Sequence, residues 1–194
     1  MRSDQEHGLT KSTLPRRRTD DLHHGRESMP GARYFVTYVT RRREPWLVPD
    51  KARQAAVAAL LVWHLEGDGE LLAASVMPDH VHVLFRLGER LDVGRSVSRW
   101  KAQSRRGAGF SGEWQRDFWE HRLRPGDDPE EYGLYVFLNP YRAGLAGRDQ
   151  SWPGWVCLHA KAFHFVTALS ANGSPPPEWL DWPDDRFEGL ATGE

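Results

Sequence analysis

The sequence contains a single cysteine, Cys157, among its 194 residues. One cysteine excludes an internal disulfide framework and is compatible with a reducing compartment. No stretch approaches the roughly 20 consecutive apolar residues of a membrane span, and the N-terminal residues lack the apolar segment of a signal peptide. We therefore expect a cytoplasmic protein with no membrane partner.

The chain also lacks an overall charge of one sign, since its net charge is −1 at neutral pH. The charges are unevenly distributed, however. Residues 95–124 hold eight Lys or Arg side chains and three acidic ones, whereas residues 178–194 hold six acidic side chains and one Arg. A basic middle and an acidic end are typical of a polyanion-binding surface, although ordinary charged helix faces would give a similar pattern.

The two ends of the chain differ in composition from its middle. Residues 1–30 contain almost no large apolar side chains and include three consecutive arginines. We expect a disordered basic arm there, which either contacts nucleic acid or only aids solubility. Residues 151–194 form a C-terminal extension with an acidic tail, and Trp179 and Trp182 are predicted to hold part of it against the main domain, residues 31–150.

Apolar periodicity within the main domain predicts the order βαββαβ, followed by one more helix. The predicted strands cover residues 33–42, 70–77, 80–87 and 117–124, and the predicted helices cover residues 51–66, 91–107 and a segment from 129 onward. Asp50 and Asp128 are the predicted N-caps of the first and third helices. This order predicts an α+β, ferredoxin-like fold, in which an antiparallel sheet carries helices on one face.

The predicted strand over residues 80–87 carries two histidines on either side of one valine. Residues i and i+2 of a strand point to the same face, so His80 and His82 project together, while Val81 and Val83 face the core. The pair is either a metal site, because imidazole is a common metal ligand, or two ordinary surface histidines on an edge strand.

The last predicted helix carries a tyrosine and an asparagine on one face. Tyr135 and Asn139 are four residues apart, which places them about one helical turn from each other. An amide oxygen suits a hard cation, and a phenol can act as a nucleophile. Alternatively, Tyr135 packs its ring and Asn139 caps the helix end, because Pro140 kinks or ends the helix there.

The stretch "VMPDHVHVLF", followed about fifty residues later by "YVFLNPYRAGLA", resembles the one-tyrosine HUH transposases of bacterial insertion sequences. It is most similar to their REP-associated tyrosine transposases, and the resemblance covers roughly residues 33–150. Those proteins share a Met-Pro-x-His-hydrophobic-His strand and a Tyr-x-x-x-Asn-Pro-x-x-Ala-Gly-Leu helix. Two positions depart from the family pattern. Asp79 stands where Asn is usual, and Phe137 stands where the helix often has His, which puts a proton-relay role there in doubt.

The resemblance implies a transposase-like single-stranded DNA endonuclease and strand transferase that acts on palindromic, REP-type hairpin DNA. Tyr135 would be the nucleophile and would form a 5′-phosphotyrosine intermediate. His80, His82 and Asn139 would hold a divalent metal, Mg²⁺ or Mn²⁺, and their ligand types are also compatible with Zn²⁺. The partner would be single-stranded or hairpin DNA, bound by a monomer or homodimer.

The basic middle of the chain supplies the predicted DNA contacts. The predicted phosphate contacts are Arg95, Arg99, Lys101, Arg105 and Arg106. Trp114 lies in a glycine-rich stretch and is predicted to stack on an unpaired base, whereas Trp63 and Trp100 lie on apolar helix faces and are predicted to be core.

Two other functions are compatible with the same residues. The first is a sequence-specific hairpin-binding protein that does not cleave DNA, although an intact Tyr135 argues against it. The second is a small metal-dependent hydrolase that uses water at the two histidines, although this function leaves Tyr135 and the basic helix without a role.

Overall fold

The computed structural model describes residues 28–190, except for the side chain of residue 184, so most of the predicted basic arm lies outside the described residues. The strands are β1 (Arg33–Val39), β2 (Gly69–Val76), β3 (His80–Leu87), β4 (Trp119–Arg122) and β5 (Trp155–Cys157). The α-helices are α1 (Asp50–Leu65), α2 (Val93–Gly107) and α3 (Pro129–Arg142). Within residues 28–190, none of the helices combines the length and the apolar character needed to cross a bilayer.

The five strands form one antiparallel sheet in the order β4-β1-β3-β2-β5. The first four strands have the arrangement of a ferredoxin-like βαββαβ unit, which confirms the predicted α+β class. β3 lies at the centre of the sheet, and His82 pairs with Thr37 of β1 on one side and with Ser75 of β2 on the other. The short strand β5 was not predicted.

Local sequence signals account for the ends of the helices. The side chain of Asp92 accepts a hydrogen bond from the Arg95 amide at the start of α2, and Asp128 accepts one from the Glu130 amide at the start of α3. The Asp128 cap was predicted. The prediction that Asp50 caps α1 is wrong, because Asp50 is the first helical residue and Pro49 occupies the N-cap position.

One face of the sheet packs against α1 and α2. Val81, Val83 and Phe85 of β3 lie in this core together with Trp63 of α1 and Trp100 of α2. Each of these side chains is almost completely buried, which confirms the predicted core roles of both tryptophans. The two helices expected for a ferredoxin-like unit therefore share one face of the sheet.

The opposite face carries a second core, formed by α3 and the C-terminal extension. Helix α3 packs on β2 and β3, and Phe35 and Leu84 of the sheet contribute to this core. His80 and His82 face away from the core that contains Val81 and Val83, as predicted, but their own face carries a second core that was not predicted. The physical reason is that α3 packs on this face of β2 and β3, so side chains that face away from the first core are buried as well.

The C-terminal extension is part of the fold throughout its described length. Strand β5 pairs with β2 at the edge of the sheet, and 3-10 turns at Pro177–Asp181 and Asp184–Leu190 pack against α3. Trp179 and Trp182 stack with ring centroids 5.5 Å apart and pack on the second core. This confirms their predicted role in holding the extension.

Candidate active site

The two histidines lie side by side on the central strand. His80 is 8% exposed and His82 is 0% exposed. This placement removes the alternative of two surface histidines on an edge strand, because β3 has neighbours on both sides and α3 lies over this face. A buried imidazole needs polar partners, because an unsatisfied ring nitrogen costs free energy in an apolar core.

Each histidine has an oxygen partner for its Nδ1 atom. His82 Nδ1 lies 2.9 Å from Thr37 Oγ1, and His80 Nδ1 lies 2.7 Å from Asp79 Oδ1. An ionised carboxylate can only accept, so a neutral His80 carries its proton on Nδ1 and presents the lone pair of Nε2. Both Nε2 atoms point to the same place and lie 3.1 Å apart. Histidines that bind metals are oriented in this way, by an oxygen on the other ring nitrogen.

Asp79 connects this pair to the turn that follows β1. Its Oδ1 atom accepts from His80, and its Oδ2 atom accepts from the Arg43 guanidinium at 3.1 Å. The His80 hydrogen bond, assisted by the Arg43 pair, holds the pKa of Asp79 below its ordinary value against the opposing effect of burial. An aspartate at this position can therefore anchor His80 and bind a cationic side chain at once, which an asparagine cannot do as strongly.

The spacing of the two histidines fits a shared divalent cation. Two bonds of about 2.1 Å that meet at 90° place their nitrogen atoms about 3.0 Å apart, close to the 3.1 Å between the two Nε2 atoms. Across the described part of the chain, no three His, Cys, Asp or Glu side chains form a metal cluster. A metal here would therefore need ligands of another type, and the buried Asn139 has a suitable amide oxygen.

Helix α3 places Tyr135 against the histidine pair. The ring of Tyr135 contacts His82 with centroids 5.4 Å apart and meets Phe35 in a T-shaped arrangement with centroids 5.8 Å apart. From the other side, Phe187 of the C-terminal extension contacts the same ring at 5.7 Å. Tyr135 is consequently only 4% exposed. Asn139 lies one helical turn further along the same face of α3 and is 8% exposed. The structure thus brings Tyr135 to the histidine pair, while the role of Asn139 as a metal ligand stays a prediction.

Tyr132, one turn earlier on α3, has different surroundings. Its ring stacks on His121 of β4 at 5.7 Å, and His121 in turn bonds to Asp127. Burial raises the pKa of Tyr132 above its ordinary value, which makes its phenolate harder to form. Tyr132 thus contacts His121, whereas Tyr135 contacts His82 of the histidine pair.

Phe137, at the position where the resembling proteins often carry His, lies on another side of α3. Its ring packs on Trp155 of β5 at 5.1 Å and on Phe165 at 5.6 Å, and it is almost fully buried. Phe137 thus joins α3 to the C-terminal extension rather than contributing a polar group to the site.

The predicted phosphate contacts lie on α2, which covers the face of the sheet opposite to the histidines. Arg99 forms ion pairs with Glu66 at 2.7 Å and with Asp68 at 3.2 Å. Arg95 is exposed and lies 3.4 Å from Asp92 at the start of the helix. These two arginines stabilise the region where α2 begins, at the end of the sheet remote from His80.

Lys101 is buried rather than exposed to a ligand. Its Nζ donates to the backbone carbonyl of Gln115 at 2.8 Å and lies near the rings of Tyr38 and Phe118. Burial lowers the pKa of Lys101 from 10.5 to about 8, although Asp117 opposes the effect. Its ammonium group fastens the segment before β4, and its location does not support a phosphate contact.

The C-terminal end of α2 lies at the same end of the sheet as His80. Arg106 is exposed there, and Arg105 donates to the carbonyl of Gly112 at 2.8 Å. Trp114 is half-buried, with its ring 5.0 Å from Trp46 and its Nε1 bonded to Ser104. Its stacking on an unpaired base stays a prediction, and one that these protein contacts do not favour.

Sequence reasoning missed two features of the site. Thr37 lies 45 positions before its partner His82, and only the pairing register of β1 with β3 brings them together. Phe110 lies in the same loop as Trp114 and is 62% exposed, so it is the aromatic side chain that this loop offers to solvent. The sequence gives no signal that separates Phe110 from Trp114, because both lie in the same glycine-rich stretch.

Comparison with known proteins gives consistent results. Residues 28–123 match the sequence profile of the family described as "Transposase IS200 like". A REP-associated tyrosine transposase from Escherichia coli is 29% identical over 63% of this chain and 74% of its own length. A relative of the same description from Haemophilus influenzae is 27% identical over 84% of this chain and 96% of its own length. The solved structure of a REP-associated tyrosine transposase bound to a REP hairpin superposes with a TM-score of 0.60 at 27% identity, covering 83% of this chain and 90% of that one.

Proposed function

This chain belongs to the IS200-like transposase family, among its REP-associated tyrosine transposases, and on that premise we propose that it cleaves and rejoins single-stranded DNA beside a REP-type hairpin, using Tyr135 as nucleophile and a divalent metal. The bound hairpin in the solved relative supports this class of substrate. The family match ends at residue 123, before α3, so the assignment of Tyr135 rests on the motif resemblance of α3 and on the contact of its ring with His82.

One observation carries the proposal. The Nε2 atoms of His80 and His82 converge to 3.1 Å on a central strand, and the ring of Tyr135 lies against His82. A phosphate bound at the two imidazoles would thus be next to the phenol. Proximity of this kind converts an encounter between separate groups into a step within one complex.

The residues present fit a divalent cation. His80 and His82 would hold it through Nε2, and Asn139 would complete the protein ligands through its amide oxygen. When bound, the cation would supply positive charge to a non-bridging oxygen of the scissile phosphate. Thr37 and Asp79 keep the two imidazoles oriented, because Thr37 bonds to Nδ1 of His82 and Asp79 bonds to Nδ1 of His80.

Tyr135 performs the covalent step. Its Oη atom gives up a proton to solvent and forms a bond to phosphorus, while the bond from phosphorus to the 3′ oxygen breaks and that oxygen takes a proton from solvent and leaves as a hydroxyl, so no net proton is released. The product is a 5′-phosphotyrosine, which keeps the energy of the phosphodiester bond. A 3′ hydroxyl can therefore attack it in the reverse sense, and rejoining needs no nucleotide cofactor.

The test compares Tyr135→Phe with Tyr132→Phe, which removes the same oxygen one turn away. Labelled single-stranded oligonucleotides that form a REP-type hairpin are incubated with each protein and Mn²⁺, then separated on a denaturing gel. Wild type and Tyr132→Phe are expected to give a retarded covalent band. Tyr135→Phe is expected to give none, while it still binds the hairpin, because the ring and its packing are retained.

The other functions predict different gels. A hairpin-binding protein without chemistry would give no covalent band in the wild type. A hydrolase that activates water would cut the oligonucleotide equally well with Tyr135→Phe and never give the band. Persistence of the band in Tyr135→Phe would move the nucleophile to another residue.

A further inference from the structure

A cleft of about 390 Å³ opens beside the candidate active site, between the turn after β1 and the loop after α2. Its lining includes Arg41, Arg42, Arg105, Phe110, Gly112 and Glu113. The cleft lies at the same end of the sheet as His80, because the Thr40 amide donates to the carbonyl of Asp79 at 2.8 Å. None of the roles described above uses this cleft.

Backbone strain in the described part of the chain gathers at this cleft. Apart from glycines, only Arg42, Arg43 and Phe110 have positive φ there, at 56°, 55° and 59°. Bulky side chains rarely adopt this left-handed conformation, because the Cβ atom crowds the backbone. Two of these residues line the cleft and the third adjoins it. Clustered strain of this kind is characteristic of binding and catalytic sites.

Phe110 is also unusual in its exposure. Its ring is 62% exposed, and its one aromatic or cationic neighbour among the described residues is the Arg105 guanidinium, 5.7 Å from the ring centroid. The Phe110 amide bonds to the Arg105 carbonyl at 2.7 Å and closes the end of α2, directly after Gly109, which supplies the left-handed glycine typical of a helix end. An apolar residue that contacts the last turn is common at this position of a helix end, but such a contact leaves most of the Phe110 ring exposed to solvent and available to a ligand.

The walls of the cleft are held in place. The Glu113 carbonyl accepts from the Arg41 amide at 2.8 Å and from Trp46 Nε1 at 3.3 Å. Gly112 lies flat on Trp46, where an added Cβ would come within 2.1 Å of the indole ring. The loop is thus fixed on both sides of Phe110, and an aromatic side chain held in this way loses little conformational freedom on binding.

The cleft is linked to the histidines by one short chain of polar contacts. Arg43 pairs with Asp79 at 3.1 Å, and Asp79 bonds to His80. Within residues 28–190, Arg42 forms no ion pair, while Arg41 pairs with Glu113 at 2.5 Å. The contact to His80 thus starts from Arg43, the residue after Arg42 in the turn that forms one wall of the cleft, so this wall is close to the place where a scissile phosphate would bind.

We propose that this cleft binds an unpaired nucleotide that flanks the hairpin, with its base on the ring of Phe110 and its phosphate beside Arg42 and Arg105. An exposed aromatic ring flanked by guanidinium groups suits a free base and its phosphate, whereas a paired base already has both faces covered. This assignment rests on the proposed function, because it places the nucleotide on the same strand as the cleaved phosphate.

The test uses two DNAs, a REP-type hairpin with an unpaired flank and the same hairpin without it. Phe110→Asn removes the ring and suits the positive φ, so its melting temperature should equal or exceed that of the wild type. Phe110→Trp keeps a stacking surface. In fluorescence anisotropy, Phe110→Asn is expected to weaken binding of the flanked hairpin roughly 5- to 150-fold and leave the blunt hairpin unaffected, while Phe110→Trp binds both as the wild type does.

A second variant tests the phosphate contact. Arg42→Asn also suits its positive φ, and it should lower the slope of log affinity against log salt by about 0.7 for the flanked hairpin alone. Lys51→Asn is the control. It removes the charge of an exposed lysine on α1, away from the cleft, and should leave the slope for the flanked hairpin unchanged.

Equal affinity of the wild type for the two DNAs would overturn this assignment, and so would tight binding of the flanked hairpin by Phe110→Asn. Neither result would affect the covalent band that tests the proposed function. If the wild type formed no band and bound neither DNA, the proposed function would fail and the nucleotide site would fail with it.

Discussion

Lys101 provides a quantitative test of the fold, because its buried ammonium group couples folding to pH. Its pKa is about 8 in the folded protein, against 10.5 for an unperturbed lysine. This difference corresponds to a penalty of about 3 kcal/mol for keeping the group charged in the folded state at pH 7. The penalty is complete below pH 8 and vanishes above pH 10.5. It decreases between these values, because in that range the unfolded chain binds more protons than the folded protein.

The sign of the effect follows from this difference in proton binding. Lys101 should make the protein more stable as the pH rises from 7 to 9, by on the order of 1 kcal/mol. Lys101→Met keeps the length and apolar stem of the side chain and removes the titration, so this part of the pH dependence should disappear. The absolute stability of the variant is less informative, because three backbone carbonyls near Nζ also lose their donor.

Urea unfolding at pH 7 and pH 9 measures the effect. The free energy of unfolding of wild type minus that of Lys101→Met should be larger at pH 9 by on the order of 1 kcal/mol. Lys51→Met, an exposed lysine on α1, is the matched control and should show no such difference. Equal pH dependence of wild type and Lys101→Met would refute the reasoning. A marked loss of DNA affinity in Lys101→Met at pH 7 would return this residue to the phosphate contacts.

Two further predictions concern the site and the second core. Thr37→Val removes the oxygen that holds His82 Nδ1 and should weaken Mn²⁺ binding about 10- to 100-fold in titration calorimetry. Thr40→Val is the control, since Thr40 Oγ1 is buried without a hydrogen-bond partner in the described residues, and its loss should leave metal affinity unchanged and raise stability by about 1 kcal/mol. Gly133→Ala would place a Cβ 2.5 Å from the Phe163 ring and should lower the free energy of unfolding by about 1–3 kcal/mol. An unchanged melting temperature in thermal unfolding would contradict this packing.

Local sequence patterns were sufficient to predict the elements of the ferredoxin-like unit. Strand β3 was predicted with its observed bounds, and the Asp128 cap with Pro129 located the start of α3. Alternation along β3 also placed His80 and His82 on one face of the strand. Helical spacing placed Tyr135 and Asn139 on one face of α3. These predictions succeeded because each depends on residues that are close in sequence.

The parts that could not be predicted depend on contacts between distant segments. The oxygen partner of His82 is set by the pairing register of β1 with β3, which no local pattern encodes. The burial of Lys101 follows from the return of the chain before β4 across α2. The C-terminal extension shows neither helical nor strand periodicity, so its 3-10 turns and its place over α3 could not be predicted, although its tryptophans indicated that it would pack.

The two halves of the candidate site are fastened to the fold in different ways. His80 and His82 lie on β3, whose backbone is bonded to strands on both sides, so its amides should exchange with solvent only when the sheet opens at nearly the global free energy of unfolding. Tyr135 lies on α3, which is held from outside by short 3-10 turns that can open at lower cost. Amide hydrogen exchange should therefore be slowest in β3 and faster in the C-terminal turns. On heating, the nucleophile is expected to lose its position before the imidazole ligands do, so cleavage would fail at a lower temperature than metal binding.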